Sequence, residues 1–456
     1  MENRQFSVPS TLLKMRLALK FALKFSLVLV PVLASGQSSL SKTERQIRDA
    51  ITAGRDQQIA YLAKVVDIPS GTLNLAGVRQ VGTVFRATLD SLGFETKWVD
   101  MPNALGRAGH LVATHRGKPG NVRMLLIGHF DTVFEGAGQQ FVRADSIAMG
   151  AGTSDMKGGD VIALYALKAL KKAGTLDEMN ITLVFTGDEE HPAFPIEISR
   201  RDLIDAAKRN DIALAFEGGN RSYATVARRG ASAWRVNATG KQAHSGGVFT
   251  DEVGYGAIYE LARILDGFRS QLAGEKYLTF NAATILGGTD VAYDTIGIKG
   301  TTASKLNIVP RAAVAHGDLR FISEEQKERT RAKMREIVAQ HLPGTEATIS
   351  FEDEYPAMSP TPGNARILAQ YDSSSQALGY GKLEALDPGL RGAGDVSFVA
   401  PLIDGLDGLG ALGEGAHTPK ENTNLNAMMM QTERAAVLIN RLGRMSAKSF
   451  VRAPIV

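Results

Sequence analysis

Cysteine is absent from the 456-residue chain. That excludes disulfides, thiolate zinc sites, iron–sulfur ligation and cysteine nucleophiles, so any metal must be held by His, Asp or Glu. No His-Glu-x-x-His pattern occurs, which removes the single-zinc helix site. A complete dinucleotide loop is missing too. Gly150-Ala151-Gly152 begins one, but Asp155 stands where the third glycine belongs. There is no internal repeat and no low-complexity tract. Excess charge is also lacking. The formal net charge is +4, and residues 1–36 carry Arg4, Lys14, Arg16, Lys20 and Lys24 against Glu2. The remainder is close to neutral, which argues against a nucleic-acid partner.

What is present is ordinary for a soluble globular protein, with 44% hydrophobic and 22% charged residues. The length suits two to three domains. Residues 12–36 place basic residues before an apolar core, Phe25 to Leu33, followed by the small residues Ala34-Ser35-Gly36. This is the pattern of a secretory signal peptide over residues 1–36, with no stable membrane anchor after its removal. The expected location is extracytoplasmic, and periplasmic in a Gram-negative bacterium.

Apolar periodicity predicts a helix from Ser41 to about Val66 and another over Val78–Leu92. Short strands follow at Phe94–Val99, Leu111–Thr114 and Met124–Ile127. Then come a helix from Asp160, a buried strand Ile181–Thr186, a helix Asp202–Lys208 and a buried strand Ile212–Phe216. This alternation predicts an α/β domain with a mostly parallel sheet over residues 41–222. The character changes near Tyr223. Strands at Thr225–Ala231, Ala233–Ala238, Leu278–Leu286, Ala312–Phe321 and Ala347–Phe351, with helices Gly254–Leu272 and Glu324–His341, predict an inserted α+β, ferredoxin-like domain over residues 223–352. Residues 353–450 return to the α/β style, with a Gly-rich turn at Arg391–Asp395 and a closing helix from Asn424.

Candidate chemistry centres on the stretch Leu125–Asp160. His129-Phe130-Asp131 ends an apolar strand, which aims an imidazole out of the sheet edge with a carboxylate able to orient it. The glycines around Asp155 let its carboxylate approach an ion closely. Glu189, Glu190 and Glu217 each fall just past a buried strand, where open α/β sheets bind their ligands. Ala243-His244-Ser245-Gly246 and His417, in Gly-Glu-Gly-Ala-His-Thr-Pro, complete the set.

These motifs, in this order over roughly residues 45–445, resemble the dinuclear zinc peptidases of the glutamate carboxypeptidase and aminoacylase family. The resemblance implies two zinc ions, with cobalt or manganese also compatible with the ligand types. It implies Asp155 as the shared ligand, His129 and Glu217 on one metal, and Glu190 and His417 on the other. Glu189 would take a proton from the attacking water and pass it to the leaving amine, and Asp131 would orient His129. The insert would act as a lid and dimerisation domain. Its His244 would reach a partner subunit's oxyanion, Arg320 would hold a substrate carboxylate or else form an ion pair within the insert, and Asn281 would assist. The implied substrates are peptides or N-acyl amino acids, and the implied assembly is a homodimer. A carboxypeptidase, an N-acyl amino acid amidohydrolase and an aminopeptidase share this chemistry. A catalytically dead binding protein on the same fold would show broken ligands, and here all are intact. Two departures stand out. His191-Pro192-Ala193-Phe194-Pro195 follows the Glu pair where the family has a glycine. Tyr355-Pro356 stands where glutamate carboxypeptidases have Arg-Pro, so specificity for C-terminal glutamate does not follow from the motifs.

Overall fold

The computed structural model describes residues 39–136 and 139–450. The signal-peptide expectation for residues 1–36 lies outside the described residues. Among the described residues no helix is long and apolar enough to cross a membrane.

The central sheet has six strands in the order Glu95–Val99, His110–His115, Asn180–Thr186, Arg123–His129, Ile212–Ala215, Asp404–Leu406. The first two pairings are antiparallel and the other three parallel. The Arg123–His129 strand sits in the middle and is apolar on both faces. Met124 and Leu126 enter a large core with the helices Lys42–Ala53, Arg55–Val66, Leu75–Ser91, Lys157–Lys172 and Leu425–Leu442. Leu125 and Ile127 enter a second core against Leu203, Ala206, Val396 and Val399. Burial on both faces explains the uninterrupted apolar run, because successive side chains of a strand point to opposite sides. Truncating Leu126 to Ala would cost about 2–5 kcal/mol by the usual cavity cost.

Two expectations need correction here. The single helix over Ser41–Val66 is two helices, Lys42–Ala53 and Arg55–Val66, hinged at Gly54. The apolar spacing continues across the break, so periodicity alone does not reveal it. The strand expected at Thr225–Ala231 is absent. A two-residue strand, Tyr223–Ala224, precedes one long strand, Gly230–Gly240. Arg228 between them is buried, its Nε on Asp407 Oδ2 at 2.5 Å and its Nη1 on the carbonyls of Gly392 and Ala393. Short exposed pieces also escaped the pattern, among them Val142–Ala144, Ile147–Met149 and the hairpin Asp290–Asp294 with Lys299–Ala303.

A second sheet, all antiparallel, runs Thr279–Gly288, Ala312–Phe321, Gly230–Gly240, Thr345–Tyr355. Its chain order is strand, helix, two strands, helix, strand, which is the ferredoxin-like arrangement. The helices Ala257–Leu272 and Glu324–Val338 cover one face around Trp234, Phe268 and Met334. The fold is thus an α/β domain with a mostly parallel sheet, carrying an inserted α+β domain.

Glu260 ties the two insert helices together. Its fully buried carboxylate accepts from Arg263 at 2.6 and 3.1 Å and from the Leu342 amide at 3.0 Å. Burial would raise its pKa, but the Arg263 bonds and charge, the Leu342 amide and His341 outweigh it, and the pKa is lowered. The stabilisation is therefore complete above the unfolded glutamate pKa of about 4.3. It is lost as pH falls through the lower folded value. Glu260→Gln is expected to cost about 1.5–3 kcal/mol at pH 7, and the difference from wild type is expected to shrink below about pH 4. Urea denaturation at several pH values checks this, and a pH-independent difference would contradict it.

Candidate metal centre

Three neighbouring parallel strands deliver the site. Asn180–Thr186, Arg123–His129 and Ile212–Ala215 lie side by side, and the chain leaves their C-terminal ends through Glu189-Glu190, His129 and Glu217. Two loops close the site from the far side. One carries Asp155 ahead of the helix Lys157–Lys172. The other carries His417 and is brought over by a small sheet in which Asn422–Asn424 pairs with Ile147–Met149. His417 adopts φ 63°, in the left-handed region, which non-glycine residues rarely occupy.

Asp155 stands at the centre. Its Oδ1 lies 3.4 Å from His129 Nε2, and His129 Nε2 is 3.5 Å from Glu217 Oε1. Its Oδ2 lies 3.1 Å from His417 Nε2, which is 3.2 Å from Glu190 Oε2. The two groups His129–Asp155–Glu217 and Asp155–Glu190–His417 each offer ligand atoms within 4.8 Å of one another. Glu189 Oε2 approaches His129 Nε2 at 3.9 Å but belongs to neither group.

The residues fit two cations. His129 Nδ1 lies 3.1 Å from the Asp131 carbonyl oxygen, which can only accept, so that nitrogen carries the proton. The lone pair then sits on Nε2, which is buried without a hydrogen-bond partner and faces Asp155 and Glu217. In the other group, Glu190 Oε1 is likewise buried and unpartnered. The electrostatics agree. Burial favours neutral His129, yet Asp131, Asp155, Glu217 and Glu189 push its pKa well up. Burial raises Glu190 to about 7, against His417, which lowers it. The carboxylates Asp155 and Glu190 raise His417 to about 10. Carboxylates outnumber imidazoles here, and protons hold the balance. Cations satisfy such a cluster better, because metal ligands must be deprotonated. The set is all oxygen and nitrogen, with no thiolate available.

Asp131 does more than orient His129. Its carboxylate accepts from the amides of Glu189 at 3.0 Å and Glu190 at 3.1 Å, and from Thr72 Oγ1 at 2.6 Å. The His129 ring bonds to its backbone carbonyl, with Oδ1 3.4 Å away. The Glu pair is fixed from behind as well. Asp188 binds buried Arg200 at 2.7 Å, and Arg200 binds Asp395 at 2.6 Å. Asp188 also accepts from the Ala193 amide at 3.1 Å, which shapes the His191–Pro195 loop. Tyr355, at the end of the insert's last strand, donates to the Glu189 carbonyl at 3.2 Å.

Other expected residues stay apart from the cluster. His244 is exposed in the insert and accepts from the Gly246 amide. Arg320 pairs with Asp318 at 2.9 Å, and Asn281 lies opposite Asp318 on the next strand. Among the described residues, no hydrogen bond or ion pair joins these three to the cluster.

Sequence reasoning missed three residues. Buried Glu421 accepts from the amides of Gly152, Ser154 and Asp155 at 3.2, 2.9 and 2.9 Å, and so moulds the Asp155 loop. Lys157 is buried, with Nζ on the carbonyls of Val65 and Ile68, and burial pulls its pKa down to about 7. Asp160 is buried beneath His129, and burial raises its pKa well above the carboxyl range. A Cβ on Gly128 would stand 2.1 Å from Asp160 Oδ1, so a larger residue there would have to displace the Asp160 carboxylate. A Glu four residues past His417 was the available signal for the first of these.

Residues 125–441 match peptidase family M20/M25/M40. The chain belongs to that family. It is 28% identical over 432 residues to carboxypeptidase G2 of Pseudomonas sp. (strain RS-16), covering 91% of this chain and 96% of that protein. It is 27% identical to succinyl-diaminopimelate desuccinylase of Acidiphilium cryptum (strain JF-5), over 79% of this chain and 93% of that one. Aminopeptidase PepT from Bacillus cereus has a similar fold, with a TM-score of 0.66 at 18% identity, covering 86% of this chain and 99% of PepT. The protein is thus an M20 hydrolase with a candidate metal-binding group at His129, Asp155 and Glu217.

Glu421→Gln is expected to lower metal affinity by about 10- to 100-fold, as loss of groups that orient ligands usually does, while the circular dichroism spectrum stays native. Competition with a chelating dye measures this. Wild-type affinity in the variant would show that the Asp155 loop holds its shape unaided.

Proposed function

We propose that this M20 hydrolase cleaves amide bonds as a zinc-dependent exopeptidase of carboxypeptidase type, acting outside the cytoplasm. One observation carries the proposal. The two oxygens of Asp155 face two separate histidine–carboxylate pairs, with Glu189 beside them and outside both. Asp155 would be shared, His129 and Glu217 would hold one ion, and Glu190 and His417 the other. Bound cations there would polarise the scissile carbonyl and make the attacking water acidic.

The chain's own groups handle the proton. Burial raises the Glu189 pKa well above its ordinary value; the His129 charge opposes this, and Glu217, Asp395 and Glu190 add to it. A carboxylate so placed takes a proton from water readily and still passes it to a leaving amine. The Asp131 bonds to the Glu189 and Glu190 amides and the Tyr355 bond to the Glu189 carbonyl keep that side chain in place. His244, Arg320 and Asn281 enter as groups that the insert supplies, His244 to a second copy's site in a homodimer. Zinc suits the oxygen and nitrogen ligands, as do cobalt and manganese. The similarity to carboxypeptidase G2 along 91% of this chain supports the carboxypeptidase assignment. The desuccinylase relative supports a second reading, an N-acyl amino acid amidohydrolase.

Amine release from N-acyl amino acids, N-blocked dipeptides and free dipeptides distinguishes these. Chelator is expected to abolish turnover and added zinc to restore it. Glu189→Gln is expected to lower kcat by about 10²- to 10⁴-fold with both metals retained. Turnover only of substrates with free N-termini would make the protein an aminopeptidase. Two metals bound with no turnover of any substrate would overturn the hydrolase assignment at this site.

A further inference from the structure

Beside the cluster lies a cavity of about 370 Å³, with Asp155 and Glu217 in its wall. That volume is at the small end for ligand pockets. Arg391, just past the turn Pro388–Leu390, lines it as well. Its side chain lies partly buried against Gly218, the residue after Glu217. Nη2 donates to the Gly218 carbonyl oxygen and Nε to Thr225 Oγ1 at 3.4 Å. Nη1 has no hydrogen-bond partner among the described residues, and no carboxylate there forms an ion pair with this guanidinium.

Several other arginines among the described residues do have a carboxylate partner. The neighbouring Arg228 has Asp407, Arg200 has Asp188 and Asp395, and Arg320 has Asp318. Burial lowers the Arg391 pKa and the nearby Arg228 charge lowers it further, while the charges of Asp407, Glu217 and Asp155 act the other way. An arginine in a protein does not shed its proton, so the charge persists, and among the described residues no carboxylate approaches it within ion-pair distance. A structural role, tying the Gly218 and Pro388–Leu390 turns together, occupies Nη2 and Nε and leaves Nη1 idle. The cavity's other walls include Leu386, Leu390 and Ala416, which offer contact to a short carbon chain and no competing cation.

We propose that Arg391 is a specificity-determining residue that binds a carboxylate of the substrate, so that the enzyme selects acidic amides. The substrate carries a negative charge within one cavity length of the scissile bond, on the acyl or the amine side. This rests on the assignment of Asp155 and Glu217 to the reacting end. The guanidinium fork suits a carboxylate, and a lysine ammonium matches it less well.

Matched substrates test it in the full-length, zinc-loaded enzyme. N-benzoylglutamate against N-benzoylglutamine places the charge on the amine side. N-succinylleucine against N-succinamoylleucine places it on the acyl side. Wild type is expected to prefer the acidic member of one pair. R391M is expected to raise KM for that member about tenfold or more, to alter kcat less than about threefold, and to leave the neutral member's KM within about threefold. R391K should recover part of the preference. Equal effects on both members, or none, would overturn the proposal. The expected kcat loss of about 10²- to 10⁴-fold in E189Q tests the hydrolase assignment separately, since it does not depend on Arg391. Calorimetry with glutarate and its monoamide covers the case of no turnover. Wild type should favour the diacid and R391M should lose that preference about tenfold, whereas an unchanged preference would overturn the proposal.

Discussion

A single carboxylate organises the site. Asp155 shows one oxygen to His129 at 3.4 Å and the other to His417 at 3.1 Å, and those two residues are 288 positions apart in sequence. Placing it requires a second carboxylate directly behind the first. Glu421 grips three amides of the loop, those of Gly152, Ser154 and Asp155, and like charge opposes that closeness. Burial and the Asp155 charge raise the Glu421 pKa, while the three amide bonds lower it. The loop's shape is the compromise, and a cation held by Asp155 would relieve the repulsion on its side. The remaining supports have the same form. Asp131 holds the Glu189 and Glu190 amides, and Asp188 holds the loop after them.

The central fold and four of the six central side chains were legible in the sequence for one reason. Each strand that delivers a ligand is buried on both faces, so it announces itself as an apolar run, and the chemistry starts where the run ends. His129, Glu189-Glu190 and Glu217 follow that rule. Residues that act through backbone amides do not, because an amide leaves no mark on the sequence. Glu421 and the second role of Asp131 were hidden for that reason. Lys157 and Asp160 look like the polar start of a helix, and only packing shows that both are buried. The strands that carry the His417 loop into place are two or three residues long, too short for alternation to register. Arg320 and Asp318 sit two apart on one strand, which puts them on the same face. Their pairing is the ion pair within the insert that the sequence left open beside the role that the resemblance implied.

The insert is joined to the chemistry by more than its two chain crossings. Tyr355 ends its last strand and donates to the backbone of Glu189, and its ring lies 4.9 Å from Phe398, in the catalytic domain's second core. The residue that departs from the expected arginine thus links the insert's position to Glu189, beside the two candidate metal groups.

The order in which the ligands occur along the chain has a consequence for biosynthesis. His129, Asp155 and Glu217 precede the insert, whereas His417 comes two hundred residues after Glu217. At usual elongation rates that interval is roughly 10–40 s. A nascent polypeptide therefore exposes one three-ligand group well before the second can exist. The second forms only when the tail pairs with Ile147–Met149 and brings Glu421 to the Asp155 loop in the same step. Completion of the second candidate group and docking of the carboxy-terminal tail therefore coincide, so an incompletely translated chain holds the first group alone.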